Sequence, residues 1–157
     1  MSYVRTPCGL VIMYHDEVAS YVLMLARMSV TLGNHPFGAI VMRGSEILAV
    51  GENRVVVASD PTAHAEIEAI RQACREVGRV SLNDCALYAS CQPCKMCVEV
   101  IIRCQIRTVH YLASRATAER YGFHDTSPIR MTQGACCAGF VSDTEAPFIA
   151  WREGCRP

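Results

Sequence analysis

Apolar positions along this chain switch repeatedly between a helical period and short extended runs. After Asp16, residues Val18, Val22, Leu25 and Leu32 recur at helical spacing. A first helix is therefore expected to reach about Leu32, where Gly33-Asn34 supplies a stop signal. Two apolar runs follow, Phe37 to Met42 and Ile47 to Val50, joined by Arg43-Gly44-Ser45. They predict a β-hairpin closed by Gly51-Glu52-Asn53. Asp60-Pro61 then biases the chain to turn. Beyond it Ile67, Ile70, Ala73, Cys74 and Val77 form one stripe, which predicts a helix starting near Thr62 with His64 in its first turn. Cys85 to Ser90 reads as a short strand. Val98, Ile101 and Ile102 predict a further helix from Pro93, a residue favoured at the first helical position, to near Gln105. Thr108 to Leu112 reads as a strand, and Ala116 to Tyr121 as a helix that stops at Gly122. A loop-rich region follows, with a short strand at Phe140-Val141. An amphipathic segment from Ala146 to Arg152 carries the single tryptophan, Trp151. Met1 to Tyr14 has no periodic signal and reads as an N-terminal extension.

The order helix, hairpin, helix, strand, helix, strand, helix predicts an α/β fold. Its expected form is a three-layer α/β/α sandwich with a mixed central sheet. No glycine-rich phosphate loop follows any predicted strand, which argues against a dinucleotide-binding domain. At 157 residues the chain, 1–157, fits one domain with a core of its own.

Charge narrows the partners. Fifteen basic residues balance fifteen acidic ones, with no basic tract of the kind that nucleic-acid binding needs. The apolar run Leu10 to Tyr14 is far too short to span a membrane. Ten cysteines without a secretory signal point to a reducing, cytoplasmic setting with mostly buried thiols. The adjacent Cys136 and Cys137 are either redox-sensitive or simply packed.

The candidate chemistry lies in two short stretches, Pro61-Thr62-Ala63-His64-Ala65-Glu66 and Pro93-Cys94-Lys95-Met96-Cys97. One imidazole and two thiolates make three ligands for one tetrahedral Zn2+ ion and leave the fourth position to water. Glu66 is then free to move protons instead of binding metal. If both stretches open helices, the positive helix ends face the site and favour thiolates. The competing reading is a closed structural zinc site with Cys91 as a fourth ligand, which leaves Glu66 without a task.

The spacing H-x-E…P-C-x-x-C is the signature of zinc-dependent base deaminases. With the hairpin and helix order, it makes the chain resemble the cytidine-deaminase-like superfamily, and within it the guanine deaminase group. The likeness runs through Pro36-Phe37-Gly38-Ala39, Asn53-Arg54-Val55, the two zinc stretches with Asp60, Cys91 and Gln92, Gly122-Phe123-His124-Asp125, and Pro147-Phe148-Ile149-Ala150-Trp151-Arg152. That covers nearly everything after Asp16. The last two stretches look like guanine and guanosine deaminases, whereas the earlier ones are shared with tRNA adenosine and cytosine deaminases.

The resemblance implies hydrolysis of guanine to xanthine and ammonia. It implies that Asn53 and Asp125 hydrogen-bond the base and that Phe37 and Phe123 stack on it. The bland alternatives are a strand-end Asn in a turn, a loop Asp capping the next element, and two ordinary core aromatics. It also implies a homodimer in which the tail, 143–157, can be exchanged between subunits. Asp143 or Glu145 could add a second acid, or could be exposed loop acids.

The chain departs from that group in four places. His124 stands where another aspartate is usual, Gln92 where glutamate is usual, and Val98-Glu99-Val100 where small residues are usual. The sequence ends Gly154-Cys155-Arg156-Pro157, without the expected terminal aromatic. Competing functions are deamination of guanosine, cytosine or a specialised-metabolism intermediate, deamination of adenosine in tRNA, and an inactive zinc-binding partner subunit.

Overall fold

The computed structural model describes residues 4–5, 11–12 and 15–124. The chain divides into two compact units, Met1–Asp125 and Thr126–Pro157, and the fold below is that of the first. Asp125, Cys136, Cys137, Phe140-Val141, Asp143, Glu145 and the tail with Trp151 lie outside the described residues.

Ten elements follow in order. Strands β1 (Val4–Arg5) and β2 (Val11–Ile12) precede helix α1 (His15–Thr31). A hairpin of β3 (Gly38–Arg43) and β4 (Glu46–Glu52) leads into helix α2 (Ala65–Val77). Then come β5 (Ala86–Cys91), α3 (Lys95–Arg103), β6 (Thr108–Ala113) and α4 (Arg115–Arg120). Among the described residues the strands form one six-stranded sheet in the order β1-β2-β4-β3-β5-β6. β3 pairs antiparallel with both β4 and β5, and β5 pairs parallel with β6. The sheet is therefore mixed, as expected.

The N-terminal stretch is an addition to the sequence reading. Val4–Arg5 and Val11–Ile12 pair with each other, and Ile12 opposite Glu46 extends the sheet beyond β4. Runs of two residues are too short to show a period, which is why the pattern did not announce them.

Both faces of β3 are buried, and its alternation splits the core in two. Ile40 and Met42 face α1, where Val18, Val22 and Leu25 pack on them beside Tyr88. Ala39 and Val41 face the other way, against Ala65, Ala69, Ile70 and Ala73 of α2 and Ile101 of α3. Helices on both faces make three layers. Two glycines let the helices come close. A Cβ at Gly38 would lie 2.6 Å from the Val22 carbonyl oxygen, and one at Gly51 would collide with the Ala65 carbonyl. The absence of a Cβ at Gly51 therefore seats the first turn of α2 directly on β4.

Candidate active site

The topology brings two helix starts to one edge. β4 and β5 run the same way because each opposes β3. The chain leaving β4 enters α2, and the chain leaving β5 enters α3, so both helices begin beyond the same ends of the sheet. Both also begin later than their sequence suggests. His64 is the N-cap of α2 with φ −72° and ψ 151°, and Cys94 is the N-cap of α3 with φ −72° and ψ 169°. Thr62 is held out of the helix by Asp60, whose Oδ1 accepts from both the Thr62 N–H and its hydroxyl at 2.7 Å. Such a turn competes with helical hydrogen bonding. Pro93 precedes the cap instead of opening the helix. Neither cap side chain makes a capping hydrogen bond to its own helix, and His64 and Cys94 face each other instead.

Three ligand atoms meet there. His64 Nδ1 lies 3.6 Å from Cys94 Sγ and 3.5 Å from Cys97 Sγ, and the two sulfurs are 3.6 Å apart. Tetrahedral zinc, bonded at about 2.3 Å to sulfur and 2.0–2.1 Å to nitrogen, would hold two sulfurs about 3.8 Å apart and a sulfur and nitrogen about 3.6 Å apart. The triangle fits that ion. His64, Cys94 and Cys97 are the group that could hold a metal among the described residues. Cys91 is turned elsewhere, with Sγ 3.6 Å from the Ser114 carbonyl oxygen, so it does not close the site.

The protons tell the same story. Cys94 is pulled down to about 3, chiefly by the hydrogen bond from Cys97, while Cys97 is driven up chiefly by that same bond. His64 is raised, first of all by its hydrogen bond to Cys94. A thiolate beside an imidazole is a ready cation site.

Glu66 stands second in α2 and is 7% exposed. Burial pushes its carboxyl up, and it interacts with the side chain of Cys97. A buried acid beside the ligand triangle, yet outside it, is placed for proton transfer.

A second set of sequence-predicted residues gathers around Phe37. Asn53 is 1% exposed. Its Oδ1 accepts from the Val55 N–H at 3.2 Å and its N–H donates to the Phe37 carbonyl at 3.0 Å. The amide oxygen is thus occupied by backbone, and the Nδ2 donor makes no hydrogen bond to protein among the described residues. Phe123 meets Phe37 edge-on at 5.0 Å and His35 at 5.4 Å. The Arg54 N–H donates to the Ala63 carbonyl, tying this group to the residue before His64. Asp125 lies outside the described residues.

Three of the four departures have a place in the structure. Gln92 accepts the Arg115 N–H at 3.1 Å, a task an amide performs without charge. Val98 and Glu99 are exposed on α3, away from the buried Cys97, and His124 is exposed. The chain end lies outside the described residues.

Several supports were not visible in the sequence. Ser29, fully buried, places its hydroxyl 2.7 Å from the His35 carbonyl oxygen and 2.8 Å from that of Asn53. Asn34 Oδ1 accepts from the Val56 and Val57 N–H groups at 3.1 Å. The Ser90 hydroxyl accepts the Gly38 N–H at 3.0 Å. The sequence marks Asn34 only as part of a helix stop. Its side chain in fact pins the loop after β4.

Comparison with known proteins agrees with the geometry. Residues 13–113 match the family model of the cytidine and deoxycytidylate deaminase zinc-binding region. Guanine deaminase from Bacillus subtilis (strain 168) is 41% identical over 148 residues, covering 89% of this chain and 95% of that protein. The X-ray structure of guanine deaminase from Bacillus subtilis superposes with a TM-score of 0.82 at 35% identity, covering 92% of this chain and 98% of that one. A tRNA-specific adenosine deaminase from Aquifex aeolicus is 38% identical over 88 residues, covering 56% of this chain and 58% of that protein. With its ligand triangle, buried acid and three-layer fold, this chain belongs to the cytidine and deoxycytidylate deaminase zinc-binding family and is a zinc-dependent aminohydrolase.

Proposed function

We propose that the enzyme hydrolyses guanine to xanthine and ammonia. The observation that carries the substrate is the extent of the likeness to guanine deaminase, which spans almost the whole of both chains, against little more than half for the tRNA adenosine deaminase. His64, Cys94 and Cys97 would hold one zinc ion. Bound there, zinc would acidify a water molecule and so supply the nucleophile near neutral pH.

The protein's own groups do the rest. Glu66 takes a proton from the attacking water and places it on the ring nitrogen beside the carbon that bears the amine. A carbon–oxygen bond forms there. Glu66 then takes the second proton, from the newly added hydroxyl, and gives it to the amine nitrogen as the carbon–nitrogen bond breaks, so that ammonia leaves and a carbonyl remains. Asn53 offers its free Nδ2 donor to an acceptor on the base, while the Phe37 and Phe123 rings line the purine. Asp125 accepts from the donor edge. The bases that compete are guanosine, cytosine and other aminated heterocycles, because His124 changes the residue beside Asp125.

We read 1–157 as a single deaminase domain, with 1–14 as an N-terminal extension and 143–157 as a tail that can be exchanged between subunits. Val98 and Ile102, 40% and 61% exposed on α3, favour a homodimer. Among the described residues no helix is long and apolar enough to cross a membrane. Six described cysteines are free thiols, in keeping with a reducing cytoplasm. The balanced charge speaks against nucleic acid as a partner.

Steady-state ammonia release from guanine, guanosine, cytosine and adenine tests the substrate. Guanine should give the highest kcat/KM. Cytosine turning over best would assign the chain to another branch of the family.

A further inference from the structure

Arg115 opens α4 and is held at two points. Its backbone N–H donates to Gln92 Oε1 at 3.1 Å, two residues before the ligand Cys94. Its guanidinium Nη2 donates to the Phe123 carbonyl at 2.9 Å. Its backbone thus meets the cysteine loop while its guanidinium holds the aromatic wall.

Phe123 needs such an anchor. It follows Gly122, which ends α4 at φ 89°, so the helix does not dictate where its ring goes. The Gly122 and Phe123 N–H groups reach back to the Glu119 and Ala118 carbonyls, which closes the turn without aiming the ring. The bond from Arg115 fixes the Phe123 carbonyl, and the ring then lies edge-on to Phe37. Gln92 anchors the other end of Arg115 to the cysteine loop.

We infer that Arg115 is a positioning residue for substrate recognition, holding the Phe123 ring against Phe37 and so registering the purine wall to the metal loop through Gln92. This rests on the proposed role of Phe37 and Phe123 in facing the substrate. Arg115 acts through Phe123 and moves no proton.

The test is kinetics of the zinc-loaded Arg115→Met and Arg115→Lys enzymes, alone and with Phe123→Ala. Zinc content and binding of 8-azaguanine to the Glu66→Gln background are measured alongside. Arg115→Met should raise KM for guanine, and Kd for 8-azaguanine, by roughly tenfold, since a charge-assisted hydrogen bond is lost. Zinc content should hold and kcat should stay within about twofold, because the chemistry is untouched. Arg115→Lys should recover part of the loss. In the Phe123→Ala background, Arg115→Met should add little. Loss of zinc with KM unmoved, or a full added effect without the Phe123 ring, would overturn the inference. No guanine turnover by the parent enzyme would instead overturn the substrate reading, whereas turnover with KM indifferent to Arg115 would defeat this role alone.

Discussion

His64 and Glu66 sit two residues apart, and Cys94 and Cys97 three, so each half of the metal corner is written in one short stretch. The proposed substrate wall is assembled differently. Phe37, Asn53 and Phe123 come from three separate segments, joined by a carbonyl here and a ring edge there. The metal corner is also the more firmly seated, with Cys97 fully buried and α2 lying on β4 at Gly51. The wall leans on hydrogen bonds that Ser29 and Arg115 donate and that Asn34 accepts. The difference suggests a division of labour, in which the corner fixes the reaction and the wall can drift between bases without disturbing it.

That division can be broken most severely at the metal. Cys94→Ala with Cys97→Ala should abolish zinc binding and turnover together, read by elemental analysis and ammonia release. Full zinc in that variant would move the metal elsewhere. Next comes Glu66→Gln, which should keep zinc and lose about 10²–10⁴ in kcat. Near-normal turnover would mean that another group carries the protons.

Asn53→Asp sharpens the contrast because it keeps the oxygen that holds the Val55 N–H and exchanges the Nδ2 donor for an acceptor oxygen of a carboxyl group. KM for guanine should rise by about tenfold or more with zinc unchanged, since one acceptor on the base loses its partner. An unchanged KM would remove Asn53 from the wall. Gly51→Ala tests the seat of the corner. Overpacking against the Ala65 carbonyl should cost about 1–3 kcal/mol in denaturant unfolding, and an unaltered midpoint would show that α2 can shift freely.

The smallest effect belongs to Asp60, whose carboxyl is held below its usual range, chiefly by its hydrogen bond from the Thr62 side chain. A depressed folded-state value means that this support is present above the unfolded value and fades as pH falls through the folded one. Asp60→Asn should therefore lower the denaturation midpoint slightly near neutrality, with the gap closing in acid. A gap that persists in acid would take the charge out of the argument.

Much of this was legible in the chain. The stripe from Ile67 to Val77 gave α2 because one helical face is buried against the sheet. The two zinc stretches gave the ligands because their spacing is the chemistry. Helix starts were misplaced by two or three residues at Thr62 and Pro93, since cap geometry depends on hydrogen bonds such as Asp60 to Thr62 that no periodicity records. Ser29 and Ser90 escaped notice for a related reason. Each binds a backbone group brought near only by the fold, Ser29 at Asn53 and Ser90 at Gly38. Nothing in their own neighbourhoods marks them.

The zinc corner is proposed to act on a purine amine. The direct measurement is product analysis of guanine incubated with the zinc-loaded enzyme and, beside it, with Glu66→Gln. Xanthine and ammonia in equal amounts from the parent, with almost none from the zinc-loaded variant, is the predicted result. Guanine left intact by the parent, while cytosine or another aminated ring is consumed, would contradict it.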